Sequence, residues 1–265
     1  MAHGEKKGLE ILQWARENGC PWSEEVCAAA ASEGYLRILK WAHENGAPWN
    51  EKSCANAAAK GNLKVLQWLR ERDCPWDADT IAYAVVNNHI EVIQWAHENG
   101  CPWDESTCSD AAYNGQLEAL KWLREHGCPW SEGTCASAAN AGNVTILKWA
   151  HENGCPWDEE AFALAAFKGH FRTLNYLKDN GCPWSEITCE HAASGNKLKV
   201  LQWLRSHDCP WNEETVYAAF CNDNWEMVRW CLENKAPFTE ELINGLEYRK
   251  QHDLFKLASS LVNKP

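Results

Sequence analysis

Apolar positions along this chain fall into two alternating phases, and one stretch shows both. In CPWSEGTCASAANAGNVTILKWAHENG, residues 128–154, Val144, Leu147 and Ala150 lie at helical spacing with Ile146 beside them, while Thr145, Lys148 and Glu152 line the opposite side. That pattern predicts an amphipathic helix. The segment before it is built on small residues around Ala138-Ala139 and predicts a shorter helix that neighbours can approach closely. Pro129 keeps Cys128 extended, so no helix runs through that point. Ser131 stands where an N-cap belongs, and Glu132 puts negative charge at the positive end of the helix dipole. Gly142 and Asn153-Gly154 are stops that tolerate a left-handed backbone. The predicted unit is helix, tight turn, helix, short loop.

The same unit recurs every 27 residues without insertion or deletion, marked by Cys20-Pro21-Trp22 and its echoes down to Cys209-Pro210-Trp211 and Ala236-Pro237-Phe238. The cap position reads Ser23, Asn50, Asp77, Asp104, Ser131, Asp158, Ser185, Asn212 and Thr239. The Ala-Ala pair recurs from Ala30-Ala31 onward and is read as Ala218-Ala219 in the eighth copy, with Ala84-Val85 as the departure. A fixed period of this length means that each copy buries its apolar face by stacking on the next. The expected fold is all-α, an α-solenoid of stacked helix-turn-helix repeats. Its expected organisation is an N-terminal half-repeat over 1–19, eight full repeats over 20–235, and a divergent capping repeat over 236–265.

Composition narrows the function. The chain has 265 residues and a formal charge of −12, so a phosphate backbone or an anionic membrane is disfavoured as main partner. No apolar run is long enough to cross a membrane, and MAHGEKKGLE lacks a signal region. The expected address is inside a cell, cytoplasmic or nuclear, with a host cell included if the protein is viral or an effector. Sixteen of the 17 Trp fall at two repeat positions, which predicts packing between repeats with the indole N–H bonded to a loop carbonyl.

Fourteen Cys raise a metal-binding or redox-responsive alternative. The recurring Cys-x6-Cys positions do not vary together: Cys74, Cys155 and Cys209 meet Ile81, Phe162 and Val216. A required bridge or ligand pair would be lost together, so the expectation is reduced core cysteine, no metal and no cofactor. His43, His97 and His151 alternate along one repeat position with Arg16, Arg70, Arg124, Lys178 and Arg205, a cationic row at the ends of second helices. No phosphate-binding loop, nucleophile elbow or His-Glu-x-x-His motif occurs, and no catalytic residue is assigned.

The run Ala-Ala-x-x-Gly, followed by an apolar helix ending in Asn-Gly-Cys, resembles the ankyrin repeat, in register from about residue 8 to 262. Ankyrin repeats are usually longer, and Cys-Pro-Trp stands here in place of their β-hairpin. The resemblance implies an ankyrin-like array without β-hairpins, non-catalytic protein binding, and a partner on the concave first-helix face. Residues free of the repeat constraint on that face are the candidates: Tyr83, Val86, Asn87, Asp110, Tyr113, Asn114, Leu164, Phe167 and Lys168. The expected partner is a protein or peptide. An end-to-end contact through the N-terminal half-repeat is a further expectation, because the chain opens inside a second helix (Leu9, Ile11, Leu12, Trp14).

Overall fold

The computed structural model describes residues 2–262, and side chains from residue 4 to 262. Among them every regular element is an α-helix, nineteen in all, and none is a strand. The chain divides into two compact units, residues 1–130 and 131–265. The first holds α1 (Ala2–Glu17) and the pairs α2 and α3 (Glu24–Ser32, Leu36–Glu44), α4 and α5 (Glu51–Ala59, Leu63–Arg70), α6 and α7 (Ala78–Val86, Ile90–Glu98), and α8 and α9 (Glu105–Tyr113, Leu117–Glu125). The second holds α10 and α11 (Glu132–Asn140, Val144–Glu152), α12 and α13 (Glu159–Lys168, Phe171–Asp179), α14 and α15 (Glu186–Ser194, Leu198–Ser206), α16 and α17 (Glu213–Cys221, Trp225–Glu233), and α18 and α19 (Glu240–Tyr248, His252–Val262).

Within the first unit, α2, α4, α6 and α8 stack in order, each also packing on the second helix of its own repeat. In the second unit α10, α12, α14 and α16 do the same. Small residues make this possible: Ala57, Ala58, Ala84, Ala111 and Ala112, and likewise Ala138, Ala139, Ala165 and Ala166, are wholly buried. Second helices contribute the bulk of the core through Leu66, Leu69, Ile93, Leu120 and Leu123 in one unit and Leu147, Leu174, Leu177, Leu201 and Leu204 in the other.

The eighth repeat corrects the expected Ala-Ala register. Its buried pair is Ala219 and Phe220, while Ala218 is only half-buried. The larger ring is accommodated across the interface at Gly245, where a Cβ would lie 2.6 Å from the Phe220 ring.

The turns follow the expected chemistry. Gly34, Gly61, Gly115, Gly142 and Gly169 between the paired helices have positive φ, and where glycine is absent Asn88, Asn196 and Asp223 take φ of 59°, 61° and 53°. The caps follow it in part. All nine cap residues are extended, but the side chain accepts a first-turn amide at Asn50, Asp104 and Asp158, and Ser185 forms a capping box with Thr188. Ser23, Asp77, Ser131, Asn212 and Thr239 make no such bond, so the shared feature is the backbone bend rather than the side-chain cap.

A second polar series, at the residue after the turn, ties several repeats to the one before. Asn62 Nδ2 donates to the carbonyls of Ala31 and Ser32 at 2.9 and 2.8 Å. Gln116 Nε2 donates to Val86 at 3.2 Å, and Nε2 of His89 and His170 lies 3.2 and 3.1 Å from the carbonyls of Ala59 and Asn140. Helix C-termini leave carbonyls without intrahelical partners, and these side chains satisfy them.

Candidate functional site

The first-helix face is what stacking leaves uncovered. Counting the N-cap as zero, helix positions 3, 4, 7 and 8 are buried almost throughout, while positions 2, 6, 9 and 10 carry the exposed and half-exposed side chains. In the first unit that face on α6 and α8 brings together Tyr83, Val86 and Asn87 with Asp110, Tyr113 and Asn114. Tyr83 and Tyr113 are 43% and 49% exposed, a large apolar area for residues with no part in the core. Asn87 and Asn114 are exposed, Val86 and Asp110 half-buried. Asn87 and Asn114 each turn back to bond the carbonyl four residues earlier, of Tyr83 and Asp110. Burial first, and then the carboxylates of Asp104 and Asp79, hold the Asp110 pKa above its ordinary value.

In the second unit Leu164 and Phe167 are half-buried on α12 and Lys168 is exposed. Phe167 meets the His191 ring edge-on at 6.4 Å, and Lys168 Nζ lies 5.5 Å over its face. Tyr248 at the end of α18 is also exposed, and among the other exposed apolar side chains that escaped the sequence reading are Ile187 at 39% and Tyr217 at 42%. Those two sit at positions 2 and 5, where other repeats carry mostly small or charged residues, and that contrast was the available signal.

The periodic aromatic residues have structural partners. Tripeptide tryptophans pack edge-to-face on the second-helix ring of their own repeat, as in Trp22–Trp41 at 5.8 Å, Trp103–Trp122 at 6.1 Å and Trp184–Trp203 at 6.3 Å. The indole N–H of Trp22 donates to the Asn45 carbonyl at 2.9 Å, whereas that of Trp68 is buried without a partner. The cationic row stacks on these rings. His43, His97 and His151 lie parallel to Trp49, Trp103 and Trp157 at 3.7, 4.0 and 3.5 Å. Arg70, Arg124 and Arg205 hold their guanidinium groups 4.2, 4.1 and 4.4 Å over Trp76, Trp130 and Trp211. The same three arginines donate to the carbonyl four residues on, of Cys74, Cys128 and Cys209.

The cysteines also have a structural role. The tripeptide thiols donate back to the cap carbonyl of the preceding repeat, Cys74 to Asn50 at 3.5 Å, Cys101 to Asp77 at 3.3 Å and Cys182 to Asp158 at 3.3 Å. Cys54, Cys135 and Cys189 point their thiols at the carbonyls of Cys74, Cys155 and Cys209, 20 residues on. All fourteen are free, and only Cys20 and Cys221 are exposed. Burial pushes Cys27 up to about 11 and Cys231 up to about 12. A thiol held protonated is a poor nucleophile and a poor metal ligand. Among the described residues no three His, Cys, Asp or Glu side chains converge as a metal site would require.

Paired helices on left-handed turns, tied repeat to repeat, define a helical solenoid. Residues 27–70 and 81–124 match the family model described as ankyrin repeats (many copies). Among solved structures the chain is similar to the ankyrin repeat domain of human ASB11, with a TM-score of 0.50 at 17% identity, over 59% of this chain and 84% of that one. No curated protein matches. The chain is thus similar to ankyrin-repeat proteins, all-helical in its described residues, with a Pro-containing loop, mostly Cys-Pro-Trp, leading into each first helix. Ankyrin repeats generally mediate protein–protein interaction and are typically not catalysts. Among the described residues no helix is long and apolar enough to cross a membrane.

Proposed function

We propose that this chain is a non-catalytic scaffold that binds a protein or peptide partner on the exposed faces of its first helices. One observation carries the reading: Tyr83 and Tyr113 are held out from a fold that uses neither. The repeat-invariant residues are all accounted for by folding, as buried alanines, left-handed turns, stacked rings and thiol or amide bonds between repeats. Side chains without such a duty are concentrated on the first-helix face, and aromatic residues there are the type that anchors interfaces. The organisation supporting this face is the one read from the period, a half-repeat, eight full repeats and a divergent terminal repeat, with an intracellular location. The test is capture of a partner by the tagged wild-type chain and by Tyr113→Ala with Phe167→Ala. Loss of the partner at unchanged helicity supports the reading, and retention at wild-type strength overturns it.

A further inference from the structure

The protein covers two rings near the ends of its first helices, Phe167 and Phe220, with its own cations, and leaves others bare, Tyr113 on α8 and Tyr248 on α18 among them. At position 9 of α12, Phe167 lies under the ammonium of Lys168, 5.5 Å away. At the end of α16, Phe220 lies under the guanidinium of Arg249, 5.0 Å away, and that guanidinium also pairs with the Asp223 carboxylate. Ring, carboxylate and cation together make the arrangement that satisfies both faces of the interaction.

Tyr113 occupies position 9 of α8, the place Phe167 holds in its own repeat. Its following residue is Asn114 rather than lysine, and that amide is turned back onto the Asp110 carbonyl. No cation lies over Tyr113 or Tyr83 among the described residues. The carboxylates are nevertheless present. Asp110 is one helical turn before Tyr113, Asp79 one turn before Tyr83, and α6 packs on α8. Asp104 and Asp79 are near enough to Asp110 to act on its titration, so negative charge is concentrated here without a counter-ion. Asp104 is engaged as the α8 cap, but Asp79 and Asp110 pair with no lysine or arginine among the described residues.

We infer that the α6–α8 face is a seat for an arginine or lysine side chain carried by a basic segment of the partner protein. The cation sits over the Tyr113 ring and between the Asp79 and Asp110 carboxylates, as Arg249 sits over Phe220 beside Asp223. This rests on the scaffold reading above and adds the partner's chemistry to it.

The probe is a fluorescein-labelled nona-arginine peptide, followed by anisotropy at low salt, where exposed charges are least screened. Asp79→Asn with Asp110→Asn, and Tyr83→Ala with Tyr113→Ala, are each expected to weaken binding at least tenfold. Glu213→Gln with Glu214→Gln, the same charge change on α16, should change it less than twofold. Asn114→Lys installs the cation that Lys168 supplies on α12, and should weaken binding tenfold. Ala141→Lys, the same change at the same repeat position of α10, should weaken it far less. Equal losses from the α16 pair, no effect of the tyrosine pair, or no binding to the wild-type chain would each overturn the inference. If nona-arginine ignores these residues while a captured partner still loses the Tyr113→Ala, Phe167→Ala chain, the seat is wrong and the scaffold reading stands. If the partner also binds that variant normally, both fall.

Discussion

Replacing Gly142 by alanine tests whether the residue after the turn locks adjacent repeats together. Gly142 has φ of +71°, and a Cβ there would meet Cγ and Nδ1 of His170 at 2.8 Å. His170 is the side chain whose Nε2 lies 3.1 Å from the Asn140 carbonyl, so the new methyl must displace an inter-repeat hydrogen bond. Gly154 is the matched control: its φ is +84° and a Cβ would meet nothing within 4 Å. A left-handed alanine costs about 1–2 kcal/mol. Reduced freedom of the unfolded chain offsets about 0.4–1 kcal/mol of that. Gly154→Ala should therefore lose roughly 0.5–1 kcal/mol. Gly142→Ala carries the same backbone cost plus the His170 bond, about 1 kcal/mol more. Equilibrium denaturation followed by tryptophan fluorescence measures both. In a His170→Ala background the clash is gone, and Gly142→Ala should cost no more than Gly154→Ala does. Equal losses at the two glycines in the wild-type background, or an unchanged loss after His170 is removed, would refute the reasoning.

Two further outcomes follow from the same structure. Asp110 has its pKa raised by burial and by Asp104 and Asp79, so its charge opposes folding once the pH rises above the ordinary carboxylate range. Asp110→Asn should accordingly stabilise the protein slightly at pH 7, by less than about 1 kcal/mol for a half-exposed group, with the gain gone at about pH 3. Thermal melts at the two pH values check this, and a destabilised variant at pH 7 contradicts it. In the native protein a chromogenic disulfide reagent should label Cys20 and Cys221 quickly and the remaining thiols only on unfolding. Rapid labelling of Cys74 or Cys128 would contradict their assignment as buried donors to cap carbonyls.

What the sequence made legible is what the fold requires identically in every repeat. Left-handed turns admit few residue types, so Gly61, Asn88 and Asp223 announce the same backbone wherever they occur. The fixed Cys-Pro-Trp step likewise located every loop. Features met by several chemistries were hidden. Asn62, His89, Gln116 and His170 look unconstrained because any donor of the right reach can serve a free carbonyl. Phe220 was misread because its compensation, Gly245, lies a whole repeat away, where no local pattern points to it. The candidate face was chosen by subtraction, which draws the eye to positions 6, 9 and 10 and passes over Ile187 and Tyr217, where the large residue replaces a usually small or charged one.

Partner binding on the first-helix faces, and not on the second-helix faces, can be read from affinities. The measurement that tests it is the dissociation constant of a captured partner for three chains: wild type, Tyr113→Ala with Phe167→Ala, and Lys121→Ala with Lys148→Ala. Both lysines lie on second helices, in surface ion pairs with Glu118 and Glu152, and their loss should alter folding and binding little. Removing aromatic anchors typically costs about 2 kcal/mol or more, a weakening of roughly thirtyfold. That loss is expected for the aromatic pair, at unchanged circular dichroism, with wild-type affinity for the lysine pair. The reverse ranking, or equal affinity for all three chains, would contradict it.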